Sequence, residues 1–262
     1  MRIRLEVEYD GTDYAGWQRQ KEEMTVQQRL EEALGSLLQQ PIVIHGAGRT
    51  DAGVHAMRMT CHFDCQTRIP PDRIAYAVNY ALPSDIRVCA SEQVADDFHA
   101  RFDAAGKWYR YRILHRQQAA AIHRRICAHV PGKLDVDATA RALPYLEGTH
   151  DFAAFAASGS HVKSTVRTIY AARLHRAEDM IWIDVVGSGF LYNMVRIIAG
   201  TAIDVGKGKQ TETVFSDMIA TGSRLSGGMT APARGLTLMR VFYPPMPDIA
   251  QIETMINAGE ML

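Results

Sequence analysis

The sequence predicts a mixed α+β fold with two ferredoxin-like, or RRM-like, halves fused through one large, mainly antiparallel sheet with helices on one side. The 262 residues are 47% hydrophobic and 22% charged, which is typical of a compact protein with a sizeable core and excludes disorder or a fibre. The first half shows the pattern β-α-β-β-α-β, and the second half repeats that order. No low-complexity linker separates them, so we expect one half at 1–104 and the other at 105–262.

The elements of the first half follow from local patterns. Residues 2–9 alternate between apolar and charged side chains, which predicts a half-buried strand. Thr25 and Gln28 form the pattern of a capping box ahead of an apolar stripe, which predicts a helix from Val26 to Leu38. The other elements expected in this half are strands at 42–45, 57–63 and 86–94 and a helix at 71–81 that starts with proline.

The second half is predicted in the same way. A strand at 107–114 is followed by a helix at 135–147 that Asp135 caps, although Pro144 should kink or end it. The remaining expected elements are strands at 168–175, 180–186 and 236–243, a helix at 190–205 and a short helix at 211–220 that ends at Gly222.

Charge and cysteine content narrow the class of protein. Lys and Arg total 29, as do Asp and Glu, so net charge alone indicates no partner. No run reaches the roughly 18 apolar residues of a membrane span, and the N-terminal residues resemble a strand more than an export signal. Four scattered cysteines are too few for a disulfide framework. We therefore expect a cytoplasmic protein that is neither membrane-bound nor exported.

Basic residues cluster locally despite the neutral total. Residues 99–129 contain seven Lys or Arg, including Arg110 and Arg112, against the single acid Asp103, and aromatic residues lie among them. Residues 157–176 contain four Lys or Arg and no acid. Such clusters suit a surface that follows phosphates, although a charge run is also compatible with a simple solvated face.

The glycine-rich segment 46–53 is the first candidate for chemistry. It places Asp51 near Arg49, with glycines that permit close backbone approach. The same pattern is also compatible with a simple turn in which the Asp51 carboxylate only accepts hydrogen bonds from nearby backbone N–H groups. Cys61, His62 and Cys65 invite a zinc interpretation, but no second ligand pair accompanies them, so we expect no metal.

Seven blocks of sequence together carry a resemblance to a known family. They are YDGTDYAGWQRQ at 9–20, TVQQRLEEAL at 25–34, GRTDAGVHA at 48–56, DDFHARFDAAGKWYRYRI at 96–113, STVRTIY at 164–170, GSGFLYNMVRIIAG at 187–200 and TAPARGLTL at 230–238. In this order they resemble the tRNA pseudouridine synthase A family over nearly the entire chain. Any one block alone, such as TAPARGL, would be a weak signal.

The resemblance implies roles for individual residues. Asp51 matches the family's catalytic aspartate, and Tyr109 matches the tyrosine that stacks on the target base. Arg196 matches the arginine that pairs with the catalytic carboxylate, Leu236 an apolar residue of the uridine pocket, and Arg49 an arginine implicated in everting the base. The residues implied to contact RNA are Phe98, His99, Ala100, Arg101 and Phe102, together with Lys163.

The same resemblance implies the activity. We expect a homodimer that binds tRNA, converts uridines 38, 39 and 40 of the anticodon stem-loop to pseudouridine without a cofactor, and has its active-site cleft between the halves. The residues alone leave alternatives open. Tyr109 shares one side of its strand with Tyr111 and Ile113 and could be a core residue, and Arg196 could be a solvated helix residue. An RRM-like RNA-binding protein without catalysis and an aspartate-dependent hydrolase, which would want a second acid, are the competing functions.

Overall fold

The computed structural model describes residues 1–157, 159 and 162–258 of the chain. They form two compact units. The first contains Met1–Ala105 and Thr237–Pro245, and the second contains Gly106–Leu236 and the described residues from Met246 onward. Each unit combines strands with helices, which confirms the mixed α+β class. Within the described residues, no helix has both the length and the apolar character needed to cross a membrane.

The elements are numbered in chain order. Strands in the described residues are β1 (Arg2–Tyr9), β2 (His45–Gly46), β3 (His55–Asp64), β4 (Ile86–Val94), β5 (Gly106–Leu114), β6 (Ala128–His129), β7 (Gly148–Asp151), β8 (Val166–Ala177), β9 (Met180–Gly187) and β10 (Leu236–Phe242). The α-helices there are α1 (Val26–Leu38), α2 (Ile74–Asn79), α3 (Val136–Ala142), α4 (Met194–Gly206), α5 (Val214–Thr221) and α6 (Ile249–Asn257).

The sheet of the first unit is built around β1. β1 pairs antiparallel with β3 on one side and with β4 on the other. β10 runs parallel to β3, with Thr237 opposite His55, and β2 pairs antiparallel with β3. Ile3, Leu5 and Val7 are fully buried, as the alternation over the first strand predicts.

Helix α1 begins where the sequence predicts, but its cap is simpler. The Thr25 hydroxyl accepts the N–H of Gln28 at 3.3 Å. The capping box also predicts a hydrogen bond from the Thr25 N–H to the Gln28 side chain, and this prediction is wrong. The Gln28 side-chain amide instead donates to Glu32 at 2.9 Å. A single hydroxyl therefore caps the first turn.

The expected strand at 42–45 is also wrong, because only His45–Gly46 pairs with β3. The backbone of Ile44 is bound by side chains of α1. Its N–H donates to Glu31 Oε1 at 3.0 Å, and its carbonyl accepts from the Gln27 amide at 3.0 Å. These bonds satisfy the groups that a strand ladder would have used.

Four expected helices are shorter than predicted, and the one expected at 211–220 begins only at Val214 as α5. The helix expected at 135–147 ends at Ala142, the last residue of α3. A 3-10 turn over Leu143–Leu146 follows it, because Pro144 has no N–H for a further helical hydrogen bond. The helix expected at 71–81 starts with a 3-10 turn, and α2 ends at Asn79. The helix expected at 190–205 starts only at Met194, because Asn193 has a φ of 61°, outside the right-handed region.

The ten strands of the described residues belong to one large sheet, as expected, and those of the second unit pair around β9. β9 pairs antiparallel with both β5 and β8, and β7 pairs antiparallel with β8. β6 runs parallel to β5. β6, β7 and α6 were not predicted from the sequence, and α6 starts with a complete capping box between Asp248 and Gln251.

A buried charged network lies on the strands of the second unit. The Asp184 carboxylate is fully buried and accepts hydrogen bonds from Trp108 Nε1 at 2.7 Å and from Arg110 Nε at 2.8 Å. Arg173, opposite Asp184 on β8, forms ion pairs with Glu147 and with Glu253 of α6. The Asp184 network therefore joins β5 to β9, and the separate ion pairs of Arg173 tie the C-terminal helix to β8.

Candidate functional site

The glycine-rich loop of the first unit leads from β2 to β3. It packs tightly at its start, since an added Cβ at Gly46 would lie 2.5 Å from Trp17 Nε1. The N–H of Ala47 donates to the carbonyl of Thr60 on β3 at 2.8 Å. The loop therefore leaves the sheet from a fixed position.

Thr50 fixes the backbone immediately before Asp51. Its buried hydroxyl shares a hydrogen bond of 2.8 Å with the hydroxyl of Tyr9. Its carbonyl accepts the N–H of Trp17 at 3.1 Å. Gly16, with a φ of +92°, approaches the same carbonyl so closely that an added Cβ would lie 2.5 Å from the oxygen. Only glycine fits there without moving the backbone.

Asp51 stands at the tip of the loop and is half-buried. Its carbonyl accepts the N–H of Val54 at 3.1 Å, and Gly53 closes this turn with a φ of +75°. Arg49 is exposed, and its Nε donates to Gln18 Oε1 at 3.2 Å. The loop thus presents one carboxylate and one guanidinium on a backbone held by the end of β1.

A second carboxylate of this unit, that of Asp10, is bound by residues of its own turn and by His55. Asp10 Oδ1 accepts from the N–H of Thr12 at 3.0 Å and from its hydroxyl at 2.5 Å. The same oxygen lies 3.1 Å from Nδ1 of the buried His55, which also receives the N–H of Gly11 at 3.1 Å. This pair was not predicted, although the sequence shows both the Asp10-Gly11-Thr12 turn and the histidine after the loop.

Tyr109 lies on β5 of the second unit, opposite Val185. The side chain is 7% exposed. Its ring packs edge-to-face against the ring of Phe190, with 5.2 Å between the two centroids. The side chains on either side of it, Trp108 and Arg110, are both anchored on Asp184. No role was predicted for Phe190, which the sequence places at the start of the helix expected at 190–205 but which lies before α4.

Arg196 and Leu236 also belong to the second unit. Arg196 lies in the first turn of α4 and is half-buried. Its Nε donates to the carbonyl of Ala231 at 2.8 Å, and its Nη1 donates to Asn193 Oδ1 at 2.7 Å. Leu236 is 6% exposed. The pairing of Arg196 with a catalytic carboxylate stays a prediction.

The 98–102 segment of the first unit is tied to the sheet by its carbonyl groups. Arg2 Nη1 donates to the carbonyl of Phe98 at 2.8 Å, and the Tyr243 hydroxyl donates to the carbonyl of Ala100 at 2.6 Å. Phe102 is 74% exposed, and Arg101 stacks on it with the guanidinium carbon 5.8 Å from the ring centroid. An exposed aromatic ring beside an arginine is a suitable surface for a nucleic-acid base or phosphate.

The basic surface is smaller than the sequence count implies. Arg110 and Arg112 are only 3% and 4% exposed, so their expected place on that surface is wrong. Asp184 compensates the charge of Arg110, which permits its burial. Exposed basic residues of the 99–129 region are Arg101, Arg116, Arg124 and Arg125. In the 157–176 region Lys163 and Arg176 are exposed, and the structure does not describe residues 158, 160 and 161.

The predicted residues divide between the units. The first contains Asp51, Arg49 and the 98–102 segment, and the second contains Tyr109, Arg196, Leu236 and Lys163. Across the described part of the chain, no group of three or more His, Cys, Asp or Glu is placed to hold a metal ion.

Comparison with known proteins gives a consistent result. A family model described as tRNA pseudouridine synthase matches residues 6–103 and 142–244. A protein named tRNA pseudouridine synthase A from Ruminiclostridium cellulolyticum is 49% identical over 243 residues, covering 92% of this chain and 99% of that protein. Proteins of the same name from Acetivibrio thermocellus and Syntrophotalea carbinolica are 46% and 45% identical, covering 92% and 93% of this chain and 99% and 96% of the relatives.

Proposed function

The chain belongs to the tRNA pseudouridine synthase family, and we propose that it converts uridines 38, 39 and 40 of the tRNA anticodon stem-loop to pseudouridine with Asp51 as its catalytic residue. The enzyme is an isomerase that acts on tRNA uridine. The observation that carries the role of Asp51 is its presentation at a loop tip whose backbone is fixed by Tyr9, Trp17 and Gly16. Such preorganisation suits a catalytic carboxylate.

The reaction keeps every atom of the base and needs no redox partner. The bond between N1 and C1′ breaks, the uracil turns, and C5 bonds to C1′ while its proton leaves to solvent and N1 gains a proton. An ionised Asp51 serves this sequence as a nucleophile or as a base. A guanidinium near a carboxylate favours its charged form, which is the role we assign to Arg196. Its bonds to Ala231 and Asn193 support this role because they restrict where the guanidinium can point.

The target base must leave its stack before it reacts. Extrusion costs a few kcal/mol, and stacking on an aromatic ring returns about 1–3 kcal/mol. We assign that ring to Tyr109, Leu236 to the apolar wall of the uridine pocket and Arg49 to eversion of the base. The 98–102 segment and Lys163 contact the RNA backbone in this account.

The proposed enzyme works as a cytoplasmic homodimer. In this scheme the half at 1–104 carries the catalytic loop, the half at 105–262 contributes the residues assigned to the uridine pocket, and each half has a ferredoxin-like fold. All four cysteines are free thiols, which supports a reducing compartment.

Two competing functions lack support in these residues. An RNA-binding protein without catalysis has no use for a carboxylate on a rigid loop tip. A hydrolase would want a second acid, and Asp10 already accepts two hydrogen bonds from Thr12 within its own turn. Free uracil as a product would favour the hydrolase.

The direct experiment uses an unmodified tRNA transcript and maps pseudouridine by position. We expect modification confined to uridines 38, 39 and 40. The control transcripts carry cytidine at those three positions and should stay unmodified. Modification outside the anticodon stem-loop would contradict the proposed specificity, and a total absence of pseudouridine would contradict the activity.

Substitution of Tyr109 tests the stacking role. Tyr109→Phe should retain tRNA binding and the aromatic face, whereas Tyr109→Ala should lose stacking worth about 1–3 kcal/mol and be far slower in turnover. The measurement is single-turnover pseudouridine formation, with thermal unfolding of each variant as the control. A purely structural tyrosine would instead give Tyr109→Ala a large drop in melting temperature and normal specific activity of the folded fraction.

Salt dependence tests the corrected basic surface. The double variant Arg124→Gln/Arg125→Gln removes two exposed charges. Its slope of log affinity against log salt concentration should be shallower than that of wild type by about 1.5, because each phosphate contact contributes roughly 0.7–0.9. Arg141→Gln is the control, since Arg141 is an exposed arginine outside the 99–129 cluster. An unchanged slope in the double variant would place the tRNA elsewhere.

A further inference from the structure

Two buried or half-buried histidines hold the backbone of the 98–102 segment. Nδ1 of His62 on β3 accepts the N–H of Ala100 at 3.1 Å. Nδ1 of His99 accepts the N–H groups of Arg101 and Phe102 at 3.1 and 3.3 Å. Three consecutive backbone donors of the segment therefore end on imidazole nitrogens.

These hydrogen bonds are compatible with only one protonation state. A neutral imidazole has one ring nitrogen that accepts and one that donates, whereas a protonated imidazole has two donors. Because Nδ1 is the acceptor in both residues, each ring must be neutral with its proton on Nε2. Protonation of His62 would place an N–H against the N–H of Ala100.

A third histidine and several charges surround this pair. Ring centroids are 4.8 Å apart between His62 and His99, and His45 on β2 stacks on His62 at 5.1 Å. Burial, followed by the charges of His99, Arg2 and His45, lowers the pKa of His62 to about 4, against the opposing charge of Asp64. Burial also lowers the pKa of His99, with His45 and Arg2 acting in the same direction and Asp103 opposing them. The electrostatics thus agree with the neutral state that the geometry requires.

We propose that His62 and His99 are positioning residues that set the conformation of the 98–102 segment, and that tRNA binding through this segment requires both imidazoles to be neutral. This inference rests on the proposed RNA contact of the segment. It adds a role for His62, which lies 1% exposed under the segment. The Arg2 and Tyr243 bonds hold the carbonyl side of the segment, while the imidazoles hold its N–H side.

The direction of the pH effect follows from linkage. The observed conformation of the 98–102 segment lowers the pKa of His62 from about 6.5 to about 4. The neutral imidazole therefore stabilises this conformation fully above pH 6.5, and the stabilisation is lost as the pH falls towards 4. Simple electrostatics predicts the reverse, because protonated histidines attract phosphates more strongly. The sign of the change in tRNA affinity therefore distinguishes positioning from plain charge attraction.

The experiment measures tRNA affinity of the full chain between pH 7.5 and pH 4.5. Wild type should lose about tenfold in affinity, the order expected from losing one such hydrogen bond to the segment. In the double variant His62→Asn/His99→Asn, an amide oxygen replaces each Nδ1 acceptor and does not titrate in this range. Relative to its own affinity at pH 7.5, this variant should show a nearly flat profile. His45→Asn is the matched control and should keep the wild-type decline.

A second measurement needs no RNA and separates this inference from the proposed function. Amide hydrogen exchange at residues 100–102 of wild type should accelerate on acidification relative to the double variant at the same pH. His62→Leu should show the faster exchange already at pH 7.5. Tighter tRNA binding at low pH, or equal exchange in wild type and double variant, overturns the inference. Faster exchange without loss of tRNA affinity also overturns it, while pseudouridine formation at pH 7.5 decides the proposed function separately.

Discussion

Replacing Asp51 by asparagine is expected to abolish pseudouridine formation while tRNA affinity stays within a few fold of wild type. The carboxylate takes part in the reaction, and acid or base roles alone contribute a factor of about 10²–10⁴. Phosphate contacts supply most of the affinity and are untouched. Asparagine also preserves the carbonyl bond to Val54 and the neighbouring Thr50 bonds, because these use the backbone or another side chain.

The measurement is single-turnover pseudouridine formation together with a binding titration. Asp13→Asn, an exposed aspartate in the adjacent turn, serves as the matched control and should keep wild-type turnover. An Asp51→Asn enzyme that retained more than about a hundredth of the wild-type rate would remove the catalytic assignment.

The second large effect is expected for Asp184→Asn. This change removes the charge that compensates Arg110 inside the second unit, where the two side chains are 0% and 3% exposed. The uncompensated buried guanidinium should cost about 3–5 kcal/mol of the free energy of unfolding. Burial and the nearby charge of Arg110 lower the pKa of Arg112 to about 10, and the charge of Asp184 opposes this shift. The Asp184→Asn substitution therefore removes a negative charge that stabilises both arginines.

Chemical denaturation of wild type and variant at pH 7 measures this cost. Asp184→Asn/Arg110→Met should recover part of the lost stability, because the direct ion pair is then replaced as a whole, although Arg112 still loses the nearby charge of Asp184. Glu212→Gln, in the exposed pair with Arg141, should leave the melting temperature nearly unchanged. A loss below about 1 kcal/mol in the Asp184 variant would mean that water or another acid compensates Arg110.

The fold could be predicted where local pattern decides it. The alternation of β1, the Thr25 cap and the left-handed Gly222 at the end of α5 are all encoded within a few residues. The expected strand at 42–45 failed because side chains of α1, more than ten residues away, bind the backbone of Ile44. No local pattern contains that information.

In the candidate site, too, local motifs could be predicted, whereas contacts between residues distant in sequence could not. Motif resemblance led to Asp51 and Tyr109, but it did not indicate that Arg110 is buried, since its partner Asp184 lies 74 positions later. His62 was considered only as a metal ligand, because its bond to Ala100 spans 38 positions. Contacts that depend on tertiary packing decide whether a charged residue faces solvent or the core, and the sequence does not display them.

The catalytic role of Asp51 in uridine isomerisation is tested with tRNA that carries tritium at C5 of its uridines. Wild-type enzyme should release tritium to water in step with pseudouridine formation, because C5 gives up its hydrogen when it bonds to C1′, and it should release no free uracil. Asp51→Asn should release neither. Free uracil from wild type, or tritium release by Asp51→Asn at the wild-type rate, would contradict an isomerase whose catalytic residue is Asp51.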